Sequence, residues 1–323
     1  MSLMAFMGVI GFAVARLRNL FGVVMLTGIF SLTGAVLYVV LDAVDVAFTE
    51  AAVGAGIATV LMLGTLALTT SEEKPASDNK PLLSLLLVTV TGAVLIYGTL
   101  DMPYYGEATA PINNHVAPRY LEESGREIGL PNVVTSVLAS YRGYDTLGET
   151  FVIFTAACGV LLIIGRPQRG RRRARRDANW DIEHGIRKNV ILRVVSKLLL
   201  PLILLFALYV QWHGDFGPGG GFQAGVIFAS AFILYAIIFD VDLARAVIGP
   251  KVTRFFLALG VTLYAGTGTA CLLFGSNFLD YSILLDEQTR GQHLGITLVE
   301  FGVGMTVAAA MVTIFFTFAS QER

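Results

Sequence analysis

The residues able to do chemistry in this chain are acids set in apolar surroundings. A carboxylate at the centre of a bilayer-spanning helix costs roughly 2.5–3.5 kcal/mol on insertion scales, so it normally faces protein or water and often marks an ion path. Glu50 and Thr49 run straight into the small-residue stretch AAVGAGIAT, where Ala51, Gly54, Ala55 and Ala58 permit close helix contact. Asp45 stands five residues before Glu50 and reads equally well as an acid complementing a helix dipole. Asp145 and Glu149 are four apart and share a helix face, with capping the alternative role for both. Glu300, in LVEFGVGMTV, has no basic neighbour in sequence and lies about two turns into an apolar run, so it is hard to explain as a helix end; a buried structural hydrogen bond is its plain alternative. Lys197 can snorkel to a membrane surface or take part in a proton relay. His213 and Asp215 open a glycine-rich loop, where they could titrate, guide cations or simply bond at the surface. Carboxylates, hydroxyls and freed carbonyls are the oxygen ligands that suit a hard cation such as Na⁺. Glu50 and Thr49 are the candidates for transient Na⁺ contact, with Glu149 and Glu300 next as acids of an ion route.

These groups must be positioned by membrane helices. Of 323 residues, 55% are hydrophobic and 15% charged, against about 25% charged in soluble chains. Mean hydropathy is +0.69. Nine helical spans are expected, at about 2–15, 20–41, 48–69, 82–99, 148–165, 190–211, 222–239, 255–274 and 294–318. The fold class is therefore all-α, a polytopic transmembrane bundle. The first run lacks a basic start and a small-residue cleavage site, so it is not read as a signal peptide. Cys158 and Cys271 fall inside helices as packing residues. No Cys or His spacing suggests zinc, haem or an iron–sulfur cluster, no phosphate loop for ATP appears, and no cofactor is expected.

The stretch from Gly165 to Arg176 holds seven arginines. The excess of basic residues in short loops marks the cytoplasmic side. Counting spans from this run puts Arg16, Arg18, Lys74, Arg187, Lys188, Arg245, Lys251 and Arg254 on the same side, with the amino terminus outside and the carboxyl terminus inside. The Arg166–Arg176 loop is expected to touch anionic lipid; a dozen residues between two spans are a poor nucleic-acid surface, and no nucleic-acid partner is expected. The polar linker at 71–81 and the arginine run divide the chain into 1–79 with three spans, 80–176 with two spans and an outer segment, and 177–323 with four spans. No convincing internal repeat appears, which disfavours an inverted-repeat transporter.

The loop HGDFGPGGGFQAG raises two possibilities: an anion cradle or close backbone packing. It lacks the lysine of a phosphate loop, and close packing in a turn at the head of the seventh span fits better. The segment HGDFGPGGGFQAGVIFASAF resembles the signature of the MnhB-like (B-type) component of the Mrp-type multisubunit Na⁺/H⁺ antiporters, with a different capping polar residue at WHGDF. LVEFGVGMTVAAAMV is similar to the closing helix of that component, and Glu300 matches its acid in kind. AVDVAFTEAAVGAG resembles a domain at the end of the large A-type component, which also occurs as a separate MbhD-like chain of membrane-bound hydrogenases; Val44 stands where the pattern has Pro. NVVTSVLASYRGYDTLGETF looks like the neighbouring domain of the A-type component, the MbhE-like domain of the hydrogenases, with Glu149 on its motif acid.

The resemblance implies a fusion of the A-type tail with the B-type component. It implies a secondary-transport component, not an enzyme, that helps form the Na⁺ route beside large proton-conducting subunits and small subunits. Na⁺ and H⁺ would be the ions. The long antiporter-like core is not among these residues, so exchange by the chain alone is not expected. The alternative is a structural component of the antiporter, or of a related ion-pumping membrane-bound hydrogenase complex, whose acids cap helices and hold neighbours. A stand-alone channel or enzyme is disfavoured, since neither a filter motif nor a nucleophile–base pair appears.

Overall fold

The computed structural model describes residues 1–69, 71–73, 81–165 and 189–320. The arginine run, Lys74, Arg187 and Lys188 lie outside the described residues. What is described is helical, with one isolated bridge between Asn19 and Glu72.

Helix α1 is Ser2–Arg16 and α2 is Leu20–Val40. Helix α3 is continuous but compound: an α segment Val44–Glu50, a π segment Ala51–Ile57 and a second α segment Ala58–Leu68. Pro81–Gly98 is α4. Three short elements follow: α5 (Pro111–Asn114), α6 (Ala117–Glu127) and α7 (Val133–Ser136), the last running into a π turn, Val137–Tyr141. Then come α8 (Gly143–Ile164), α9 (Val190–His213), α10 (Gly221–Ile238), α11 (Val241–Val247) and α12 (Pro250–Leu273). A 3₁₀ turn at Tyr281–Leu284 leads into α13, Gln288–Ala319.

Seven helices are long and apolar enough to cross a membrane, and Ser2–Arg16 and Leu82–Gly98 are shorter apolar helices. The nine expected spans fall on these nine helices, although the shorter two leave the span number approximate. Local chemistry sets several starts. The Asn19 side chain accepts from Gly22 N–H at 2.9 Å, and Asn189 accepts from the N–H groups of Ile191 and Leu192 at 3.1 and 3.2 Å. Pro250 occupies the first turn of α12, where a missing N–H costs nothing.

Three boundaries move in ways that matter. Helix α3 begins at Val44, so Asp45 lies in its first turn rather than at the end of the second span, and Glu50 lies deeper, at the junction with the π segment. Helix α8 begins at Gly143, which moves Glu149 into its second turn. Helix α13 begins at Gln288, so Glu300 is farther along its helix than the apolar run implied. In α8 and α13 largely polar residues start the helix ahead of the apolar pattern; in α3 the added turn, residues 44–47, is apolar apart from Asp45.

The core is built round α13. It packs against α12, α10, α8 and α3, and α10 packs in turn on α9 and α3. Small residues allow this: Gly302 and Gly260 face each other, and Thr306 fits against Gly260. Tyr264 and Tyr281 are fully buried, their hydroxyls donating to the carbonyls of Gly143 (2.8 Å) and Ala139 (3.0 Å). By contrast, α4 is exposed from Leu82 to Gly98 apart from half-buried Gly92.

Candidate functional site: an acidic cluster under the glycine loop

Helix α9 ends at His213 and α10 starts at Gly221. Between them the chain folds back on the last turn of α9: Gly217 N–H donates to His213 O at 3.0 Å and Gly220 N–H to Val210 O at 3.0 Å. Gly220 has φ +107°, a conformation other residues resist. A Cβ on Gly221 would stand 2.0 Å from the Glu300 carbonyl oxygen, and one on Gly225 would stand 2.6 Å from that of Gly304. The glycines therefore bring the backbone of α10 onto that of α13 at the level of Glu300, as close packing requires.

The loop is pinned from the middle of the chain. Asn132 N–H donates to Asp215 O at 3.0 Å, and the Asn132 amide donates to Gly214 O at 2.9 Å and Gly217 O at 3.1 Å. Thr135 Oγ1 donates to Gly214 O at 2.6 Å. Asn132, which also caps α7 by accepting from Val134 N–H, is thus a structural hub.

Three carboxylates approach this loop from different parts of the chain. Glu300, partly buried, sits under it, its oxygens 3.2–3.3 Å from where Cβ atoms on Gly220 and Gly214 would be. Asp45, from α3, faces the Gly219 N–H and the Asn132 amide. Asp215, from the loop itself, bonds His293 Nε2 at 2.8 Å. Asp45 and Asp215 both lie within electrostatic reach of Glu300, whose carboxylate takes no hydrogen bond or ion pair among the described residues. Thr49 completes the seam: its hydroxyl donates to Asp45 O at 3.0 Å and accepts from Gln223 Nε2 at 2.8 Å, tying α3 to α10. Among the described residues no group of three or more His, Cys, Asp or Glu is arranged to hold a metal ion.

The other candidates lie apart from the cluster. Glu50 turns its carboxylate onto the α2–α3 contact, where a Cβ on Gly54 would meet Glu50 Oε1 at 2.5 Å and Ser31 Oγ at 2.7 Å. Glu50 and Thr49 therefore face different neighbours. Asp145 is ion-paired with Arg142 in the first turn of α8, and Glu149 lies one turn farther on. Lys197 is exposed, with its ammonium 5.9 Å from the Phe239 ring centre. His213 stacks on Tyr209, ring centres 5.0 Å apart, at the rim of the loop.

Sequence reasoning passed over His293, Asn132, Thr135 and Gln223. A signal existed for one of them: His293 and Glu300 are seven apart, which puts them on one face of a helix. It also passed over a cavity of about 340 Å³ at the start of α13, lined by Arg119, Glu127, Tyr141, Asp280, Gln288 and Gln292. There Tyr141 donates to Glu127, and Arg119 pairs with the same carboxylate at 3.0 Å. The tyrosine bond and the guanidinium hold Glu127 below the usual carboxylate range; burial, then the carboxylate, push Tyr141 up to about 12.

The chain matches known proteins along most of its length. Residues 191–313 match the family model described as the domain related to the MnhB subunit of Na⁺/H⁺ antiporter. Residues 5–71 match the MbhD model and residues 86–177 the MbhE model, both described as subunits of MBH. The probable K⁺/H⁺ antiporter A/B subunit of Rhizobium meliloti (strain 1021) is 27% identical over 282 residues, 82% of this chain but 28% of that protein. The putative antiporter subunit mnhB2 of Staphylococcus haemolyticus (strain JCSC1435) is 36% identical over 129 residues, 39% of this chain and 91% of that protein. Among solved structures, the Mrp complex from Dietzia sp. DQ12-45-1b contains a chain that superposes with a TM-score of 0.72 at 26% identity, over 97% of this chain and 34% of that one. The chain thus spans about a third or less of the Rhizobium and Dietzia chains and nearly the whole of an mnhB2 protein. With its three domains in that order, it belongs to the family of Mrp-type multisubunit Na⁺/H⁺ antiporter subunits, in the arrangement of an A/B fusion.

Proposed function

We propose that this multi-pass membrane protein is a transport subunit of a cation/proton antiporter, and that it forms part of the cation route beside proton-conducting subunits. The observation that carries the reading is the approach of Asp45 and Glu300, from α3 and α13, to a pinned loop that itself carries Asp215. Repulsion among the three acids is relieved by a monovalent cation or by a proton, and that competition is the core of cation/proton exchange. Family names point to Na⁺ for the matching domain and to K⁺ for the R. meliloti relative. Oxygen ligands of this kind suit either ion. Glu50, on the α2 side of α3, and Thr49, on its α10 side, remain separate candidates for Na⁺ contact, with Glu149 a further acid of the route. The π segment after Glu50 supports this, since such bulges recur at functional sites. The free energy would come from ion gradients maintained through partner subunits.

In this reading the glycine loop opens outside, the arginine run Arg166–Arg176 lies on anionic lipid at the cytoplasmic face, and the amino terminus is outside. The test of function is exchange in everted vesicles by the intact complex carrying Glu300→Gln, with subunit levels checked by blotting. Exchange should fall at least tenfold at normal assembly. Parent-like exchange across the pH range would leave Glu300 a packing residue and favour a purely structural role for the chain.

A further inference from the structure

The glycine loop is held in two different ways. From α7 it is held by neutral bonds, those of Asn132 and Thr135 to loop carbonyls. From α13 its described side-chain contact is ionisable: His293 Nε2 to Asp215 Oδ2, 2.8 Å. The Asp215 side chain is 14% exposed and the His293 side chain 56% exposed, so solvent protons reach the imidazole while the carboxylate stays largely covered. His293 and Glu300 are two turns apart on one face of α13, with Thr297 between them donating to His293 O at 2.8 Å.

We propose that His293 is a positioning residue that couples protonation to cation affinity at the acidic cluster; the inference rests on the cation-route reading above. Protonated His293 neutralises Asp215 and lowers the negative potential that Asp215 and Asp45 place on Glu300. Neutral His293 still orients Asp215 by the hydrogen bond but leaves its charge to attract a cation. A proton on His293 and a cation at the cluster are thus antagonists, and by linkage each weakens the other by the same factor. Several other charges at this end are paired with one another. On α13, Glu287 pairs with Arg290 at 2.9 Å; on α6, Glu127 pairs with Arg119; on α8, Asp145 pairs with Arg142. His213 stacks on Tyr209, and α7 offers neutral Asn132 and Thr135. His293 acts on Asp215 directly, by the 2.8 Å bond, and through Asp215 on Glu300, which Asp45 also reaches; Asp42, Glu149 and Asp286 take no described bond to His293.

The test is the Na⁺ KM for exchange by the intact complex in everted vesicles from pH 6 to 8.5, comparing His293→Gln and His293→Lys with the parent. Gln keeps a neutral donor and Lys keeps a positive charge throughout. The parent KM should approach the Lys value at the acid end and the Gln value at the alkaline end. The gap between the two variants should be about fivefold or more, the usual span of such couplings. Because His293 is exposed, both variants should assemble, and blotting verifies this. Asp45→Asn and Glu300→Gln serve as references. If they abolish exchange while both His293 variants parallel the parent KM at every pH, the coupling role is overturned and the route reading survives. If the references exchange normally, the route reading falls first.

Discussion

Replacing Gly221 by alanine tests the backbone contact that places Glu300 under the loop. The new Cβ would lie 2.0 Å from the Glu300 carbonyl oxygen, 2.9 Å from its carbon and 3.0 Å from Gly304 N. A tolerable C···O contact is about 3.3–3.6 Å. Helices α10 and α13 must therefore separate by about 1.3 Å, because the offended atoms are backbone and cannot rotate away. A gap of about 0.5–1 Å already forfeits about a quarter to a half of the dispersion energy of each facing pair, so about 1.3 Å forfeits more, and membrane helices associate through just such packing. Overpacking costs about 1–3 kcal/mol and at times more; the backbone clash places Gly221→Ala near the top, at about 3 kcal/mol. For a chain of 323 residues that corresponds to a melting temperature lower by about 4–5 °C. Gly266→Ala on α12 is the control, since no atom lies within 4 Å of its Cβ position. It should be neutral or slightly stabilising, alanine being favoured over glycine in a helix. Thermal unfolding of the detergent-purified chain measures both. A Gly221→Ala melting temperature within a degree of the parent would refute the close approach of the two backbones.

Further outcomes follow from other contacts. Thr49→Val combined with Gln223→Leu in a double-mutant cycle should show a coupling of about 0.6–1.7 kcal/mol, the range for interhelical hydrogen bonds in membranes; zero coupling would remove the α3–α10 tie. Glu127 is depressed in the fold, so its contribution is present above the unfolded carboxylate value and lost as pH falls through the folded one. Tyr141 is raised to about 12, so its contribution is full below pH 10 and lost as pH rises toward 12. Tyr141→Phe should therefore shrink both edges of the stability–pH profile, and an unchanged acid edge would argue against the Tyr141–Glu127 bond. Glu50→Gln should reduce exchange strongly at normal assembly, with Glu50→Asp keeping part of it; normal exchange by Gln would make Glu50 a structural partner of Ser31. Single cysteines at Arg171 and Phe216, in a chain lacking Cys158 and Cys271, should label from the cytoplasm and from outside respectively; labelling of position 216 from the cytoplasm alone would invert the proposed orientation.

Much of the fold was legible because each apolar run had to become a helix, seven of them of spanning length. Helix ends were less so. Glu149 and Glu300 moved relative to their helix starts because polar residues extend α8 and α13 ahead of the apolar pattern, and Asp45 because α3 gains a turn around that acid. The π segment at Ala51–Ile57 was hidden for another reason: small residues satisfy many helical spacings, so nothing in AAVGAGI marks the shift in hydrogen bonding. Of the site, the acids were legible singly, because a carboxylate beside an apolar run is costly. Their grouping was not. Asp45, Asn132 and Glu300 are distant in sequence, and polar residues such as Asn132 and His293 look ordinary in polar loops. The glycine run gave its packing role away, but its contact with the backbone at Glu300 depends on how α10 meets α13.

The most direct measurement is a double-mutant cycle on exchange, with Asp45→Asn, Glu300→Gln and the double variant in the intact complex, each at verified subunit levels. If the two acids hold one cation between them, each single variant should lose most of the exchange, and the double should lose little more than either alone, since residues acting as a unit are strongly non-additive. Parent-like Na⁺ affinity and rate in both single variants would contradict a cation route through this cluster.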